Sequence, residues 1–259
     1  MLSIERHEKI LNELDKRSTV KVTYLSEMLQ VTEKTIRIDL ETLENQGHLK
    51  RIHGGATLPK EGEQLLPIKK RQMEHGDVKH AIAVEALQHI QKNDTILIDG
   101  GSTTEAFAEL LGEVPVTVIT NDIKVAYKLL PKEKVHLMMA GGTRIGTSGA
   151  LFGAESSKML KTIRVNKIFF GTTGISIENG LTVFNGIHAD WKKEAMQCSN
   201  EIFLLADSSK FQKDALIQFA VLEDINTIIT DSALSEQLAE GITRRGVQVI
   251  KSSAETTSS

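Results

Sequence analysis

From Asp77 onward the chain alternates short apolar runs with helical periods, and this rhythm limits the possible folds more than any other feature. DVKHAIAVEALQHIQ is followed by TILID, TEAFAELL, VTVIT, DIKVAYKLL and VHLMMAGG, and later by the runs KIFFG, EIFLLAD, NTIIT and VQVIK. A strand that is apolar almost throughout must be covered on both faces. A helix between two such strands returns the chain so that the next runs parallel. Residues 77–251 are therefore expected to form an α/β domain around a mostly parallel sheet. The preceding texture differs: 1–57 carries short helical periods and no long strand. Residues 58–76, with two of the four prolines and many charges, read as a linker, and the polar 252–259 as a disordered tail.

Within 1–57, RHEKILNELDKRS places Ile10, Leu11 and Leu14 on one helix face. VTYLSEML predicts a second helix with Thr23 as N-cap and Leu25, Met28 and Leu29 inward. In VTEKTIRIDLETLENQG, Thr32 caps a third helix, Ile36, Leu40 and Leu43 make its buried stripe, and Gly47 stands at its stop. HLKRIHGGATL reads as a two-stranded ribbon with Gly54 and Gly55 near its tip. Three helices and a hairpin make a winged helix-turn-helix, whose second paired helix enters the major groove of double-stranded DNA. That helix would expose Glu33, Lys34, Thr35, Arg37 and Ile38. Lys34 and Arg37 can donate to guanine or phosphate, and Thr35 to either. Lys50, Arg51 and His53 flank Gly54, where a wing reaches the backbone or a minor groove. Residues 1–58 hold nine Lys plus Arg and nine Asp plus Glu, so pattern alone leaves both DNA reading and protein interaction open.

In the second domain the strand candidates end in turns rich in Gly, Ser and Thr. Asp99-Gly100-Gly101-Ser102-Thr103-Thr104 joins one strand to a helix whose free N–H groups and hydroxyls suit an anion such as phosphate, while Asp99 can accept from a sugar hydroxyl. Gly141-Gly142-Thr143-Arg144 and Gly171-Thr172-Thr173-Gly174 follow two other strands. In an open parallel sheet ligands sit beyond the carboxyl ends of the strands, so these turns are expected to converge on one crevice. Asp207-Ser208-Ser209-Lys210 ends a further run. Its lysine can meet a phosphate, or simply pair with Asp207.

The stretch from Arg6 to Leu58 resembles the N-terminal domain of the DeoR family of bacterial transcriptional regulators. The family's Thr-Ile-Arg-Arg-Asp-Leu run stands here as Thr35-Ile36-Arg37-Ile38-Asp39-Leu40, and its Arg-x-His/Tyr-Gly-Gly-Ala wing as Arg51-Ile52-His53-Gly54-Gly55-Ala56. Ile38 replaces the family's second arginine. DGGSTT, AGGT, FFGTTGI, GLTVFN and LLADSSKF resemble the family's effector-domain signatures in order, and Asn185, Asp190 and Lys192 match its segment with an acid–x–Lys stretch. Ile145 departs from it where a basic residue is common, next to Arg144.

The resemblance implies an operator-DNA-binding regulator, a repressor of a carbohydrate-utilisation operon, with an effector domain folded like ribose-5-phosphate isomerase and a phosphorylated sugar as its signal. It implies effector contacts at the glycine turns, Thr172, Asn185, Lys192, Asp207 and Lys210. The isomerase's acids have no counterpart in Thr172-Thr173-Gly174-Ile175, and Glu194, near the place of its base, reads as a solvated helix residue. No catalytic residue is therefore expected; the alternative is an isomerase with an added domain. A single winged helix covers too few base pairs to be selective, so a homo-oligomer, dimer or tetramer, is expected.

Other chemistries lack their residues. One cysteine, Cys198, excludes an internal disulfide framework and suits a reducing cytoplasm. The histidines form no ligand set with it, so neither metal nor cofactor is expected. No apolar run is long enough for a membrane span. A net charge of −3 argues against indiscriminate coating of nucleic acid.

Overall fold

The structure, a computed structural model, describes residues 3–45, 49–57, 76–145 and 148–252. The expected linker and tail lie outside them apart from Gly76 and Ser252, and so does the expected stop at Gly47. The chain divides into two compact units, Met1–Lys70 and Arg71–Ser259.

The first unit runs α1 (Ser3–Arg17), β1 (Thr19–Lys21), α2 (Val22–Leu29), α3 (Glu33–Asn45), β2 (Lys50–Ile52) and β3 (Gly55–Thr57). Ile10, Leu14, Leu25, Leu29, Ile36, Leu40 and Leu43 form its core, as the helical spacing requires. Thr32 caps α3, its hydroxyl accepting from the Thr35 N–H at 3.2 Å. Three local expectations are corrected. The ribbon is a three-stranded antiparallel sheet in the order β1-β3-β2, because Thr19–Lys21, too short to show alternation, adds a strand through buried Val20. Helix α2 starts at Val22, before Thr23, and Lys21 at its cap position makes no side-chain bond. Met28 is exposed, the inward stripe being filled by Val22, Leu25 and Leu29.

The second unit opens with α4 (Gly76–Leu87), β4 (Thr95–Ile98), α5 (Ser102–Leu110), β5 (Val116–Thr120), α6 (Ile123–Leu129) and β6 (Val135–Met139). The hairpin β7 (Thr143–Arg144) and β8 (Leu151–Phe152) leads to α7 (Ala154–Thr162), β9 (Lys167–Phe170), β10 (Gly174–Ser176), β11 (Gly180–Val183) and α8 (Gly186–Met196). Then come β12 (Ile202–Leu205), β13 (Ile217–Ala220), β14 (Thr227–Asp231), α9 (Glu236–Thr243) and β15 (Gln248–Ser252). Seven strands form one parallel sheet, ordered β15-β14-β12-β9-β4-β5-β6. Alternate strand residues feed two cores. Ile96, Ile98, Phe169 and Phe203 pack with α4 and α5, while Leu97, Ile168, Phe170 and Leu204 pack with α7, α8 and α9. Phe169 stacks on Phe203 with centroids 4.9 Å apart and meets Phe107 at 4.6 Å. The small antiparallel sheet β10-β11-β13 was not legible in its short strands, two of which begin with glycine.

Strand order decides where a ligand can sit. The chain steps outward from β4 through β5 to β6, then returns to place β9 on the other side of β4. The connections after β4 and β9 therefore leave a crevice between them at the carboxyl end of the sheet, the switch point of an open parallel α/β fold.

Candidate DNA-reading face and ligand crevice

In the first unit a buried acid fixes the reading helix. Asp39 on α3 accepts from Arg6 Nε at 2.7 Å and Arg6 Nη2 at 2.9 Å, and lies 3.0 Å from His7 Nε2. Burial works against its charge, but the hydrogen bonds from Arg6 and His7 outweigh it and hold the carboxyl below the usual range. Two forked bonds lock α1 across α3 and so set which face α3 presents. Glu33, Lys34, Thr35, Arg37 and Ile38 lie along that face. Lys34, Arg37 and Ile38 are exposed; Glu33 and Thr35 are half-buried, and the Thr35 hydroxyl is 2.9 Å from that of Thr32. Arg37 Nη2 donates to Glu33 Oε2 at 2.6 Å, one turn back.

The wing is tied to the same helix. Arg51 donates to Glu44 from its backbone N–H at 2.7 Å and from Nε at 2.6 Å. These donors, the backbone one first, hold the Glu44 carboxyl below its usual range. Lys50 and His53 are exposed, and Gly54 turns the hairpin tip with φ of +76°. Glu44 thus anchors the wing to α3.

In the second unit the expected turns surround the crevice unequally. Asp99 leaves β4 and is 3% exposed, and Lys192 reaches it from α8 while itself 4% exposed. Lys192 Nζ donates to Asp99 Oδ2 and to the Gly171 carbonyl at 2.8 Å, with the rings of Phe170 and Phe219 each 5.2 Å away. One lysine thus joins the turn after β4 to the turn after β9. Two of its three N–H donors are used, and the third has no hydrogen-bond acceptor among the described residues. Gly101 and half-buried Ser102 lie at the crevice end of α5, Thr103 is buried, and Thr104 closes the turn by donating to the Gly101 carbonyl at 3.0 Å.

Other expected residues have local partners. Thr172 Oγ1 lies 2.9 Å from the Gly174 carbonyl and 3.1 Å from that of Thr182. Asn185 caps α8, its Oδ1 accepting from the Ile187 N–H at 2.8 Å. Asp207 accepts from both the hydroxyl and the N–H of Ser209, with Lys210 Nζ 3.8 Å away. Gly142 has φ of +146° and packs on the β8 backbone, where any Cβ would strike the Phe152 carbonyl. Arg144 Nε donates to the Ser148 carbonyl at 2.8 Å.

Asp122 is the residue that sequence reasoning missed. It follows β5 and caps α6, Oδ1 accepting from Lys124 N–H at 2.8 Å and Val125 N–H at 3.3 Å. Its other oxygen lies against Gly100, so closely that a Cβ there would collide with it, and Gly149 flanks the same carboxylate. Oδ2 has no hydrogen-bond partner among the described residues. Burial pushes this carboxyl above its usual range; the N–H groups of Lys124 and Val125 oppose the rise and the charge of Asp99 adds to it. Its signal in the sequence was TND after a strand, which reads equally well as a plain N-cap.

Glu194 takes another direction. Two residues beyond Lys192, it projects about 200° round the helix. Burial pushes the nearby Cys198 thiol up, Arg164 opposing and Glu194 adding to the effect, and Cys198 Sγ lies 3.1 Å from the Leu160 carbonyl of α7. Glu194 is half-buried, and its Oε2 is buried without a hydrogen-bond partner among the described residues. The expectation of a solvated residue is corrected: Glu194 is half-buried with one carboxylate oxygen out of water, on a side of α8 turned from that of Lys192.

Two family models match the chain: a DeoR-like helix-turn-helix domain over residues 6–62, and the DeoR C terminal sensor domain over 74–232. The chain belongs to the DeoR family. It is a DNA-binding transcriptional regulator. Among DeoR-type relatives, the L-fucose operon activator of Haemophilus influenzae is 34% identical, over 90% of this chain and 94% of that one. The lactose phosphotransferase system repressor of Staphylococcus epidermidis is 30% identical, over 90% and 93% respectively. Ribose 5-phosphate isomerase A from Methanocaldococcus jannaschii aligns over 53% of this chain and 55% of that structure, with 21% identity and a TM-score of 0.40. No described helix is long and apolar enough to cross a membrane.

Proposed function

We propose that this DeoR-family regulator represses a carbohydrate-utilisation operon, and that a phosphorylated sugar in the crevice beyond β4 and β9 weakens its grip on operator DNA. The observation that carries the reading is the buried Lys192–Asp99 pair beside the N-terminal turn of α5. Burying two charges is costly unless they are paired, and this pair holds a carboxylate ready at the switch point. Asp99 and Asp122 are placed to accept from sugar hydroxyls. Gly101, Ser102 and the first N–H groups of α5, with Lys210, would meet the phosphate. Gly100, Thr103, Thr104, Gly142, Arg144, Thr172, Asn185 and Asp207 would shape the turns around it.

Both named relatives act on sugar systems, one as activator and one as repressor, and the repressor supplies the sign adopted here. Lys34, Thr35, Arg37 and the wing's Lys50, Arg51 and His53 would contact the operator, with Glu33 and Gly54 shaping the contact. At least two modules act together, since one reads too few base pairs, so a homo-oligomer working in the bacterial cytoplasm completes the reading. Release requires the sugar to bind the DNA-free arrangement more tightly than the bound one.

Fluorescence anisotropy of the full chain on a labelled fragment from upstream of its own gene tests this. At least one phosphorylated sugar should lower operator affinity while its unphosphorylated counterpart does not. An unchanged curve for every phosphosugar would refute the effector reading. The rival reading, an isomerase, rests on the two crevice carboxylates, Asp99 and Asp122. It requires ribulose 5-phosphate to accumulate when the protein is incubated with ribose 5-phosphate, and none is expected.

A further inference from the structure

The reading helix carries an apolar side chain where its charged neighbours cancel. Ile38 is 54% exposed in the middle of α3, while Ile36, Asp39, Leu40 and Leu43 on the opposite side are buried. Ile38 therefore takes no part in holding the unit together. Around it stand Glu33, Lys34, Arg37 and Glu41, whose formal charges sum to zero, and Arg37 is already paired with Glu33 at 2.6 Å. A helix face whose charges cancel, on a helix with four acids against two bases, gains little from phosphates, and reading guanine with Arg37 would compete with Glu33.

An exposed isoleucine gains free energy only when an apolar surface covers it. In the major groove the apolar group displayed on base edges is the C5-methyl of thymine. The helix that enters the groove thus brings one bare aliphatic group to a surface with one kind of aliphatic partner. We propose that Ile38 is a specificity residue that reads a thymine methyl in each half of the operator. The proposal rests on DNA binding by α3 and is independent of the effector reading.

The test begins by selecting sites from a random duplex library with the full chain. Each thymine of the selected site is then replaced by uracil, which removes the methyl and leaves the Watson–Crick edge intact. Wild type should bind about fourfold more weakly at one such position in each half, as expected for ~0.8 kcal/mol per buried methyl group. Ile38→Ala should bind the thymine and uracil sites equally, and Ile38→Arg should shift the preferred base there towards guanine. Both variants should melt at the wild-type temperature, since Ile38 lies outside the core. Three results would each overturn the assignment: no thymine with a methyl effect in wild type, a methyl effect that survives Ile38→Ala, or an altered oligomeric state in Ile38→Ala with the uracil profile unchanged.

Discussion

The two units spend their charged residues in opposite ways. In the first, Lys34, Arg37, Lys50, Arg51 and His53 lie on the surface, and one buried acid, Asp39, serves only to orient the helix that carries some of them. In the second, Asp99, Lys192, Asp122 and Asp207 are all buried at the carboxyl edge of the sheet. The contrast fits the partners proposed for the two units. A duplex is larger than the module, so side chains must project to reach it and can keep their hydration until they do. A small ligand must be enclosed, so its receptor has to keep polar groups out of water beforehand and pair them while it waits. Replacing a paired charge should therefore cost folding stability in the second unit and, for the surface charges, mainly affinity in the first.

The largest effect is expected at the crevice. Lys192→Met leaves Asp99 buried without its cation, and should cost about 3–5 kcal/mol in urea denaturation, while adding Asp99→Asn should restore most of it. A loss below ~1 kcal/mol would show that water reaches the pair and would blur the contrast. Asp39→Ala should come next, at about 3 kcal/mol, as the exception that sharpens the rule, since this acid is the buried one among the described residues of the first unit. Its carboxyl is held below the usual range, so its contribution is complete above the unfolded carboxylate pKa of about 4 and is lost as pH falls further. Stability curves of wild type and Asp39→Ala should converge under acid conditions.

Asp122 tests the sign of the opposite shift. Because its carboxyl is raised, the folded state keeps this proton to higher pH than the unfolded chain, and the contribution of Asp122 to stability falls as pH rises above about 4. Asp122→Asn preserves an N-cap and removes the charge, so it should gain on wild type with rising pH, as read from paired denaturation curves. A fall in the variant's relative stability would mean that Asp122 has a cationic partner. The smallest stability effect belongs to Arg51→Ala: breaking its partly exposed pair with Glu44 should cost under ~1 kcal/mol. Operator affinity should nevertheless fall, and the slope of log affinity against log salt should shrink by about one.

The same contrast explains what the sequence disclosed. Apolar periodicity located every strand of the parallel sheet and each described helix of the first unit, because burial writes a regular pattern. The expected reading face is contiguous in the sequence: Glu33 to Ile38 lie within two turns of α3. The crevice was legible only as separate turns. Nothing local links Lys192 to Asp99, 93 positions apart, and Asp122 looks like any capping residue until the fold sets it against Gly100. Thr23, Met28 and β1 were misread because short elements take their boundaries from tertiary packing rather than from propensity.

The most direct test compares operator release by the effective phosphosugar in wild type and Lys210→Ala under identical salt. The account predicts equal operator affinity without sugar, and at least a tenfold higher sugar concentration for half-release in the variant, the equivalent of about 1.4 kcal/mol. Coincident release curves, or operator affinity lost in the variant without any sugar present, would contradict it.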